Sequence, residues 1–156
     1  MLKRYKVLIV EDSESLAAIF ASYLGDANYD IRISTTLDEA RRDWAEFAPE
    51  IVLLDLQLPD GNGLELLSAP ELNQPRVDII VMTAFGSNDI AARAIRTGAT
   101  DYLSKPFDAD RLNTTIMNLI QRRDLSNQVE RYAQLNRQSY CDFIGASMPM
   151  QSVYRI

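Results

Sequence analysis

The sequence predicts an α/β fold in which five parallel strands alternate with five helices and form a doubly wound sheet. Short apolar, β-branched runs are typical of strands and recur at residues 5–10, 30–34, 50–54, 77–82 and 100–104. Segments with the apolar spacing of helices separate these runs. Strict alternation of this kind indicates βα units and a parallel sheet with right-handed crossovers.

The pattern within each run indicates its place in the sheet. The runs around Val7, Val52 and Ile79 are apolar on both faces, as strands covered by helices on both sides must be. Ile31 and Ile33 instead alternate with polar residues, which is typical of an edge strand. The first, third and fourth strands are therefore predicted to be central, which fits the flavodoxin-like order 2-1-3-4-5.

Four of the segments between strands predict helices, at residues 15–24, 37–47, 63–69 and 88–97. Ser13 is the candidate N-cap of the first helix, and either Thr36 or Asp38 is the candidate N-cap of the second. Gly98 is the candidate C-terminal stop of the fourth.

The fifth helix is predicted to begin at residue 108 or 109 and to run to about residue 139, because no glycine or proline occurs between Pro106 and Gly145. In its first half the apolar residues expected to dock on the sheet are Leu112, Ile116, Leu119 and Ile120. Beyond Arg123 no sheet remains to be covered, yet an apolar stripe continues through Leu125, Val129 and Tyr132. The stripe predicts an extended linker helix that pairs in a homodimer, and the alternative is a frayed linker.

Composition excludes several classes of protein. The chain has 156 residues, enough for one domain and a short appendage, and 47% of them are hydrophobic and 24% charged. The single cysteine and the lack of histidine exclude an internal disulfide and the usual zinc sites. A net charge of −6 argues against a basic DNA-binding face. No apolar run approaches the roughly 20 residues of a membrane span and the start does not resemble a signal peptide, so we expect a cytoplasmic protein.

Polar residues stand at the ends of four predicted strands. Glu11 and Asp12 follow the first strand, Asp55 follows the third, Thr83 the fourth and Lys105 the fifth. The carboxyl ends of parallel strands form the crevice in which this fold binds ligands, and the first and third strands flank the point at which the winding direction reverses. Three carboxylates are therefore expected to converge in one pocket.

Three carboxylates a few ångströms apart either raise a pKa or bind a hard cation, and Mg²⁺ fits best because it takes carboxylate oxygens, water and substrate phosphate. Asp55 would then act as a nucleophile that forms an acyl phosphate. Lys105 would contact phosphoryl oxygens through its charge and Thr83 through its hydroxyl. Each residue alone has a plain alternative, as a capping acid, a Lys-Pro turn or a capping threonine. Their joint occurrence at four strand ends favours the functional interpretation.

Four motifs carry a resemblance to a known family: Val-Leu-Ile-Val-Glu-Asp at 7–12, Leu-Leu-Asp-Leu-Gln-Leu-Pro-Asp-Gly-Asn-Gly at 53–63, Val-Met-Thr-Ala at 81–84 and Asp-Tyr-Leu-Ser-Lys-Pro-Phe at 101–107. Over residues 5 to about 122 the chain resembles the receiver domains of response regulators. The resemblance implies that Asp55 is the phosphoacceptor and that Thr83 and Lys105 bind the phosphoryl group. The Mg²⁺ ligands that it implies are Asp55, Asp12 directly, Glu11 through water and Gln57 through its backbone carbonyl.

The same resemblance implies that Tyr102 is an aromatic switch that turns inward when Thr83 moves, and the alternative is an ordinary half-buried strand tyrosine. It also implies a cis peptide bond between Lys105 and Pro106. Glu11 departs from the family pattern, because many members carry a second aspartate there. The expected function is a phosphorylation switch rather than an enzyme with a separate substrate. It would take a phosphoryl group from a histidine kinase or a histidine phosphotransfer protein and hydrolyse it slowly.

Residues 142–156 resemble the opening of the ATPase domain of NtrC-type, sigma-54-dependent activators, and together with the last helix they resemble the LuxO-like quorum-sensing subgroup. The alternative is an amphipathic end segment. The predicted organisation is a receiver domain at 1–122, a linker helix at 123–141 and the start of a truncated ATPase domain at 142–156. A full-length protein of this kind would engage ATP, sigma-54 RNA polymerase and DNA through further domains.

Three other functions are alternatives to the phosphorylation switch. A phosphatase of the haloacid dehalogenase type needs a second aspartate two residues after its nucleophile, where this chain has Gln57. A flavodoxin-type flavin protein needs a Ser/Thr/Gly-rich phosphate loop after the first strand, where Glu11 and Asp12 stand. A non-phosphorylated interaction module stays open in principle, and the complete set of acceptor, metal-binding and lysine residues argues against it.

Overall fold

The computed structural model describes residues 3–69, 77–84 and 88–146, with side chains up to residue 138. Along the chain the elements are β1 (Tyr5–Val10), α1 (Glu14–Leu24), β2 (Tyr29–Ser34), α2 (Leu37–Phe47), β3 (Ile51–Asp55), β4 (Gln57–Leu58), β5 (Gly61–Asn62), α3 (Leu64–Leu67), β6 (Asp78–Thr83), α4 (Asn88–Thr97), β7 (Asp101–Ser104) and α5 (Ala109–Ala146). Five of the described strands form a parallel sheet, and β4 and β5 form a separate antiparallel hairpin.

The five-stranded sheet has the order β2-β1-β3-β6-β7. When only the strands of this sheet are counted, the order is the predicted 2-1-3-4-5, so the flavodoxin-like fold class is confirmed. All neighbouring strands are parallel, and the register pairs Val10 of β1 with Leu54 of β3 and Asp55 with Met82 of β6. The residues that follow β1, β3, β6 and β7 therefore lie along one edge of the sheet.

The core consists of apolar side chains on both faces of the central strands. Val7 to Val10 and the whole of β3 are buried, as their uninterrupted apolar runs predict. The edge position of β2 is confirmed, but Ile33 is exposed and Ser34 is buried, which is the reverse of what the alternating pattern predicts at these two residues. On one face of the sheet, Trp44 and Leu37 of α2 pack into a cluster with the central strands. Fully burying one aliphatic side chain stabilises the fold by about 1.5–3 kcal/mol, so this cluster fixes α2 on the sheet.

Side-chain hydrogen bonds define where the first two helices begin. Ser13 Oγ accepts a hydrogen bond from Leu16 N at 3.3 Å, which confirms Ser13 as the N-cap of α1. Of the two candidates for α2, Thr36 is the N-cap, because its hydroxyl accepts from Glu39 N at 3.1 Å. Gly98 follows α4 with a φ of 131° and is the predicted stop.

Three features differ from the sequence-based expectations. Leu64–Leu67 is a four-residue helix, shorter than the predicted 63–69. The hairpin of β4 and β5 was not predicted, because strands of two residues are too short to show a periodic pattern. Helix α5 continues past residue 139 to Ala146, since residues 140–146 contain no proline and their single glycine lowers helix propensity without ending the helix.

The described chain separates into two compact units, Met1–Thr115 and Ile116–Ile156. The predicted boundary at 122/123 stays a prediction, and the tail predicted from residue 142 extends beyond the described residues. Leu112, Ile116 and Leu119 are buried at the spacing that the sequence predicts. Within the part of the chain that the structure describes, none of the helices combines the length and apolar character that a membrane span requires.

Gly63 provides a test of the packing beneath the hairpin. Its φ of −57° suits any residue, so alanine would by itself stabilise the fold by roughly 0.4–1 kcal/mol. An added Cβ, however, would lie 2.3 Å from the carbonyl oxygen of Asp55. We predict that Gly63→Ala lowers the free energy of unfolding by about 2 kcal/mol, because the backbone after β3 must shift. Urea denaturation measures this change, and a variant at least as stable as the wild type would contradict the close contact.

Candidate functional site

The candidate site lies where four strands of the sheet end. Glu11 and Asp12 follow β1, Asp55 is the last residue of β3, Thr83 is the last residue of β6, and Lys105 follows β7. The parallel register of the sheet brings these positions to one edge, as the sequence predicts.

The three carboxylates form one cluster. A carboxylate oxygen from each of Glu11, Asp12 and Asp55 lies within 4.8 Å of those from the other two. Glu11 is only 1% exposed and Asp55 6%, whereas Asp12 faces solvent. Two of the three negative charges are therefore largely removed from water, which is costly unless positive charge is close by.

Lys105 supplies positive charge to the two buried carboxylates. Its Nζ donates a hydrogen bond to Glu11 Oε2 and lies 3.3 Å from Asp55 Oδ2. The backbone N–H of Lys105 donates to the carbonyl of Thr83 at 2.8 Å, which holds the start of the Lys105 loop against the end of β6. The peptide bond between Lys105 and Pro106 is cis, as expected.

Glu11 is the carboxylate whose protonation the site changes most clearly. The pKa of Glu11 is raised from 4.5 to about 7, chiefly by burial; the hydrogen bond from Lys105 acts in the opposite direction, and the charge of Asp55 adds to the rise. The second oxygen of Glu11 accepts from the backbone N–H of Ser13 at 3.2 Å. The Glu11 side chain is thus held in place by two donors even though its charge is poorly solvated.

The remaining predicted residues lie around this centre. Gln57 is in β4, and its backbone N–H donates to Asp55 Oδ1 at 3.2 Å. Thr83 is buried at the end of β6, beside β7. Tyr102 of β7 is paired in register with Val81, and its side chain is exposed and outside the carboxylate cluster. The structure therefore brings together the carboxylates and Lys105 in direct contact, with Gln57 bonded to Asp55.

Two residues near the site carry contacts that the sequence interpretation missed. Asp60, at the tip of the hairpin of β4 and β5, accepts hydrogen bonds from the backbone of α2. Gly63 approaches the backbone of Asp55 more closely than any side-chain-bearing residue could. The Pro59-Asp60-Gly61 sequence is a turn signal that could have revealed the hairpin, but no local pattern indicates a bond to a helix 23 residues away.

The donor set fits a hard divalent cation. All three side chains of the cluster offer carboxylate oxygen, and Mg²⁺ is typically bound by one or two carboxylates while it keeps several water ligands. Only one ammonium group is seen among the described contacts of Glu11 and Asp55, so negative charge remains in excess. The cluster therefore has both the ligand chemistry and the charge that such an ion requires.

The relatives found by comparison with known proteins agree with one another. The pattern described as the response regulator receiver domain matches residues 7–117. Regulatory protein LuxO of Vibrio cholerae is 43% identical over 148 residues, which are 94% of this chain and 32% of that protein. Response regulator protein PilR of Pseudomonas aeruginosa is 32% identical over 152 residues, 97% of this chain and 33% of that protein. The chain thus spans about a third of the length of these relatives.

Solved structures share the fold. The signal receiver domain of a LuxO repressor protein from Vibrio parahaemolyticus superposes with a TM-score of 0.74 at 39% identity, covering 81% of this chain and 98% of that one. NtrX from Brucella abortus gives a TM-score of 0.76 at 28% identity, covering 83% of this chain and 29% of that one. Both similarities agree with the five-stranded parallel sheet of this chain.

The raised pKa of Glu11 makes a prediction about the metal-free protein. Between about pH 4.5 and 7 the folded state keeps a proton that the unfolded state releases, so stability falls as the pH rises through this window. Glu11→Gln removes this titration and keeps a side-chain oxygen for Lys105. We predict that, in chelator, the free energy of unfolding of the variant rises relative to that of the wild type by on the order of 2 kcal/mol from pH 5 to pH 8. Urea unfolding at the two pH values measures this difference. If the stabilities of the two proteins changed with pH in parallel, the raised pKa of buried Glu11 would be contradicted.

Proposed function

We propose a function on one premise: the chain belongs to the response regulator receiver domain family, and its relatives place it in the LuxO-like branch of NtrC-type regulators. The proposed function is to accept a phosphoryl group on Asp55 and thereby to switch a sigma-54-dependent activating domain. One observation supports this proposal above the others. The buried carboxylate of Asp55 lies 3.3 Å from Lys105 Nζ and belongs to a cluster of three carboxylates.

In the proposed reaction an oxygen of Asp55 attacks the phosphorus atom of a phosphohistidine on a histidine kinase or a histidine phosphotransfer protein. A P–O bond forms as the P–N bond breaks, and the departing imidazole keeps the electron pair and takes up a proton. A water molecule later attacks the same phosphorus atom, which releases phosphate and restores the Asp55 carboxylate. The chain is itself the substrate of this step, so the domain acts as a signalling switch with slow autodephosphorylation.

The proposed Mg²⁺ ligands are Asp12, Asp55, Glu11 through water and the backbone carbonyl of Gln57. Bound Mg²⁺ would mask the negative charge that these groups present to an incoming phosphoryl group. The carboxylate cluster is preorganised, because Lys105 and the backbone N–H of Ser13 hold the Glu11 side chain in place. Exposed Asp12 leaves one side of the cluster open to solvent, where an ion can enter.

Lys105 and Thr83 are the proposed ligands of the phosphoryl group. Lys105 Nζ already lies between Glu11 and Asp55, so a phosphoryl group on Asp55 would offer it a stronger anionic partner than the carboxylate it replaces. Thr83 ends the neighbouring strand with its side chain buried, and its hydroxyl can donate to a phosphoryl oxygen. Movement of these two residues would be the first structural consequence of phosphorylation.

Tyr102 is the proposed switch residue. It lies on β7, which is paired with β6, and three residues before Lys105. Its exposed ring has room to change rotamer, and the proposal is that it turns inward once Thr83 has moved toward the phosphoryl group. The exposed ring would then change a surface that other domains can read.

The proposed downstream partners follow from the longer relatives. Because LuxO and PilR are about three times as long as this chain, we propose the activities of the whole protein by analogy with them. We infer that residues 1–122 are the receiver domain, 123–141 a linker helix and 142–156 the start of an ATPase domain. In the whole protein that domain would use ATP and act on sigma-54 RNA polymerase, with DNA bound by a further domain.

The second half of α5 supports a proposed homodimer. Leu125, Val129, Tyr132 and Leu135 are 60–70% exposed in the described chain, on a helix that continues to Ala146. The first three follow spacings of four and three residues, which place them on one stripe of the helix. A second copy of the same helix is the proposed occupant, because spacings of four and three match the seam of a two-stranded coiled coil, and Leu135 would flank that seam.

Phosphorylation by acetyl phosphate with Mg²⁺ tests the proposed acceptor. We predict that intact mass spectrometry detects one added phosphoryl group on the wild type and none on Asp55→Asn, since asparagine lacks the nucleophilic carboxylate. Asp30→Asn, which removes an exposed acid on β2 far from the cluster, is the matched control and should be modified like the wild type. Equal modification of the Asp55→Asn protein would contradict the assignment.

Sedimentation of residues 1–156 tests the proposed dimer. We predict a dimer whose dissociation constant rises at least about tenfold, close to 1.4 kcal/mol, in Val129→Asp, because a buried charge would stand in the apolar seam. A truncated chain that ends at Arg123 should behave in the same way. Gln134→Asp adds the same charge on a different face of the helix and is the control. Monomers for all four proteins, or equal loss in the control, would contradict the helix pairing.

A further inference from the structure

The hairpin of β4 and β5 begins at the phosphoacceptor strand and ends at a distant helix. Only Leu56 separates Asp55 from β4, and the antiparallel register pairs Gln57 with Asn62 and Leu58 with Gly61. Pro59 and Asp60 therefore form the two-residue tip. Whatever holds this tip also constrains the backbone of Gln57 at the other end.

At its base the hairpin is bonded to the strand that carries Asp55. The backbone N–H of Gln57 donates to Asp55 Oδ1 at 3.2 Å, and that of Gly63 donates to the carbonyl of Leu56 at 2.8 Å. The side chains of Leu56 and Leu58 are buried in the core cluster. The base is therefore fixed next to the carboxylate cluster.

At its tip the hairpin is bonded to the first turn of α2. Asp60 Oδ1 accepts from Leu37 N at 2.8 Å and Asp60 Oδ2 accepts from Asp38 N at 3.2 Å. The hydrogen bond from Leu37, together with that from Asp38, holds the pKa of Asp60 below its ordinary value. The next residue approaches the same helix, since a Cβ on Gly61 would lie 2.7 Å from Leu37 Cδ1.

The next two N–H groups of α2 have acceptors of their own. Thr36 Oγ1 accepts from Glu39 N at 3.1 Å, and the carbonyl of Thr36 accepts from Ala40 N at 3.0 Å. The bond from Ala40 is the first within the helix, so Asp60 serves two of the four N–H groups that a helix start leaves without helical partners, and Thr36 Oγ1 serves a third. Because α2 is fixed on the sheet by its buried side chains, the bond to Asp60 ties the hairpin tip to a rigid body.

We propose that Asp60 is a positioning residue for the metal and phosphoryl site, which it serves by tying the hairpin to α2 and so fixing the backbone of Gln57. The inference rests on the proposed function, because it takes the carbonyl of Gln57 as a Mg²⁺ ligand. A residue that orients a ligand from outside commonly changes metal affinity by about tenfold or more when it is removed. The simpler role, an N-cap of α2 with no bearing on the site, predicts no such change.

Mg²⁺ binding to residues 1–156, followed by amide chemical shifts without any phosphodonor, separates the two roles. We expect Asp60→Ala to raise the Mg²⁺ dissociation constant about tenfold and to speed amide hydrogen exchange in the hairpin of the metal-free protein. Asp60→Asn keeps an oxygen that can accept from Leu37 N, so it should restore most of the affinity although the charge is gone.

Two controls match the change. Thr36→Ala removes the other side-chain cap of α2, and Asp38→Ala removes an exposed negative charge from the same turn without removing the acceptor for its N–H. Both should bind Mg²⁺ within about twofold of the wild type, below the effect expected of an orienting group. Unchanged affinity in Asp60→Ala, or equal losses in either control, would overturn the positioning role while leaving the metal site intact. A wild type that binds no Mg²⁺ would overturn the metal site and, with it, this inference.

Discussion

Lys105 faces two carboxylates, Glu11 and Asp55, that are almost completely withdrawn from water, and the charges in this small volume do not balance. Burying two negative groups beside one ammonium group is costly, and exposed Asp12 adds a third negative charge at the rim. The protein can relieve the excess by holding a proton on Glu11, whose pKa is raised to about 7, or by binding a cation. A phosphoryl group on Asp55 would change the same balance again, so the arrangement suits a switch whose conformation follows the charge on one aspartate.

The fold supplies this arrangement with two kinds of support. The strands deliver the charged groups rigidly, because β1, β3, β6 and β7 end together at one edge of a sheet whose central strands are buried. The hairpin of β4 and β5 has a weaker framework of two-residue strands, and it depends on contacts at both ends. Gly63 permits the close approach at its base, and Asp60 connects its tip to α2. The backbone that follows Asp55 is therefore linked to the start of a helix that contributes no residue to the carboxylate cluster.

Most of the sheet and the chemical groups of the site could be predicted from the sequence, since buried strands have uninterrupted apolar runs and their ends are easy to align. The five strands lie within two residues of their predicted limits, and Glu11, Asp55 and Lys105 do meet. The contacts that bind the hairpin were not predictable, because they join residues such as Asp60 and Leu37 that share no period or motif. The choice of Thr36 over Asp38 as a cap likewise depends on backbone geometry that either residue type could satisfy.

We propose that Asp55 carries the phosphoryl group beside Lys105, with a cation bound by the neighbouring carboxylates. A crystal structure of the protein with Mg²⁺ and trifluoroberyllate, a stable mimic of a phosphoryl group on a carboxylate, tests all three parts together. We expect beryllium bonded to a carboxylate oxygen of Asp55, fluorine atoms within hydrogen-bonding distance of Lys105 and Thr83, and Mg²⁺ held by Asp12 and Asp55. Beryllium on a different carboxylate, or an adduct at Asp55 that leaves Lys105 bound to Glu11 alone, would contradict it.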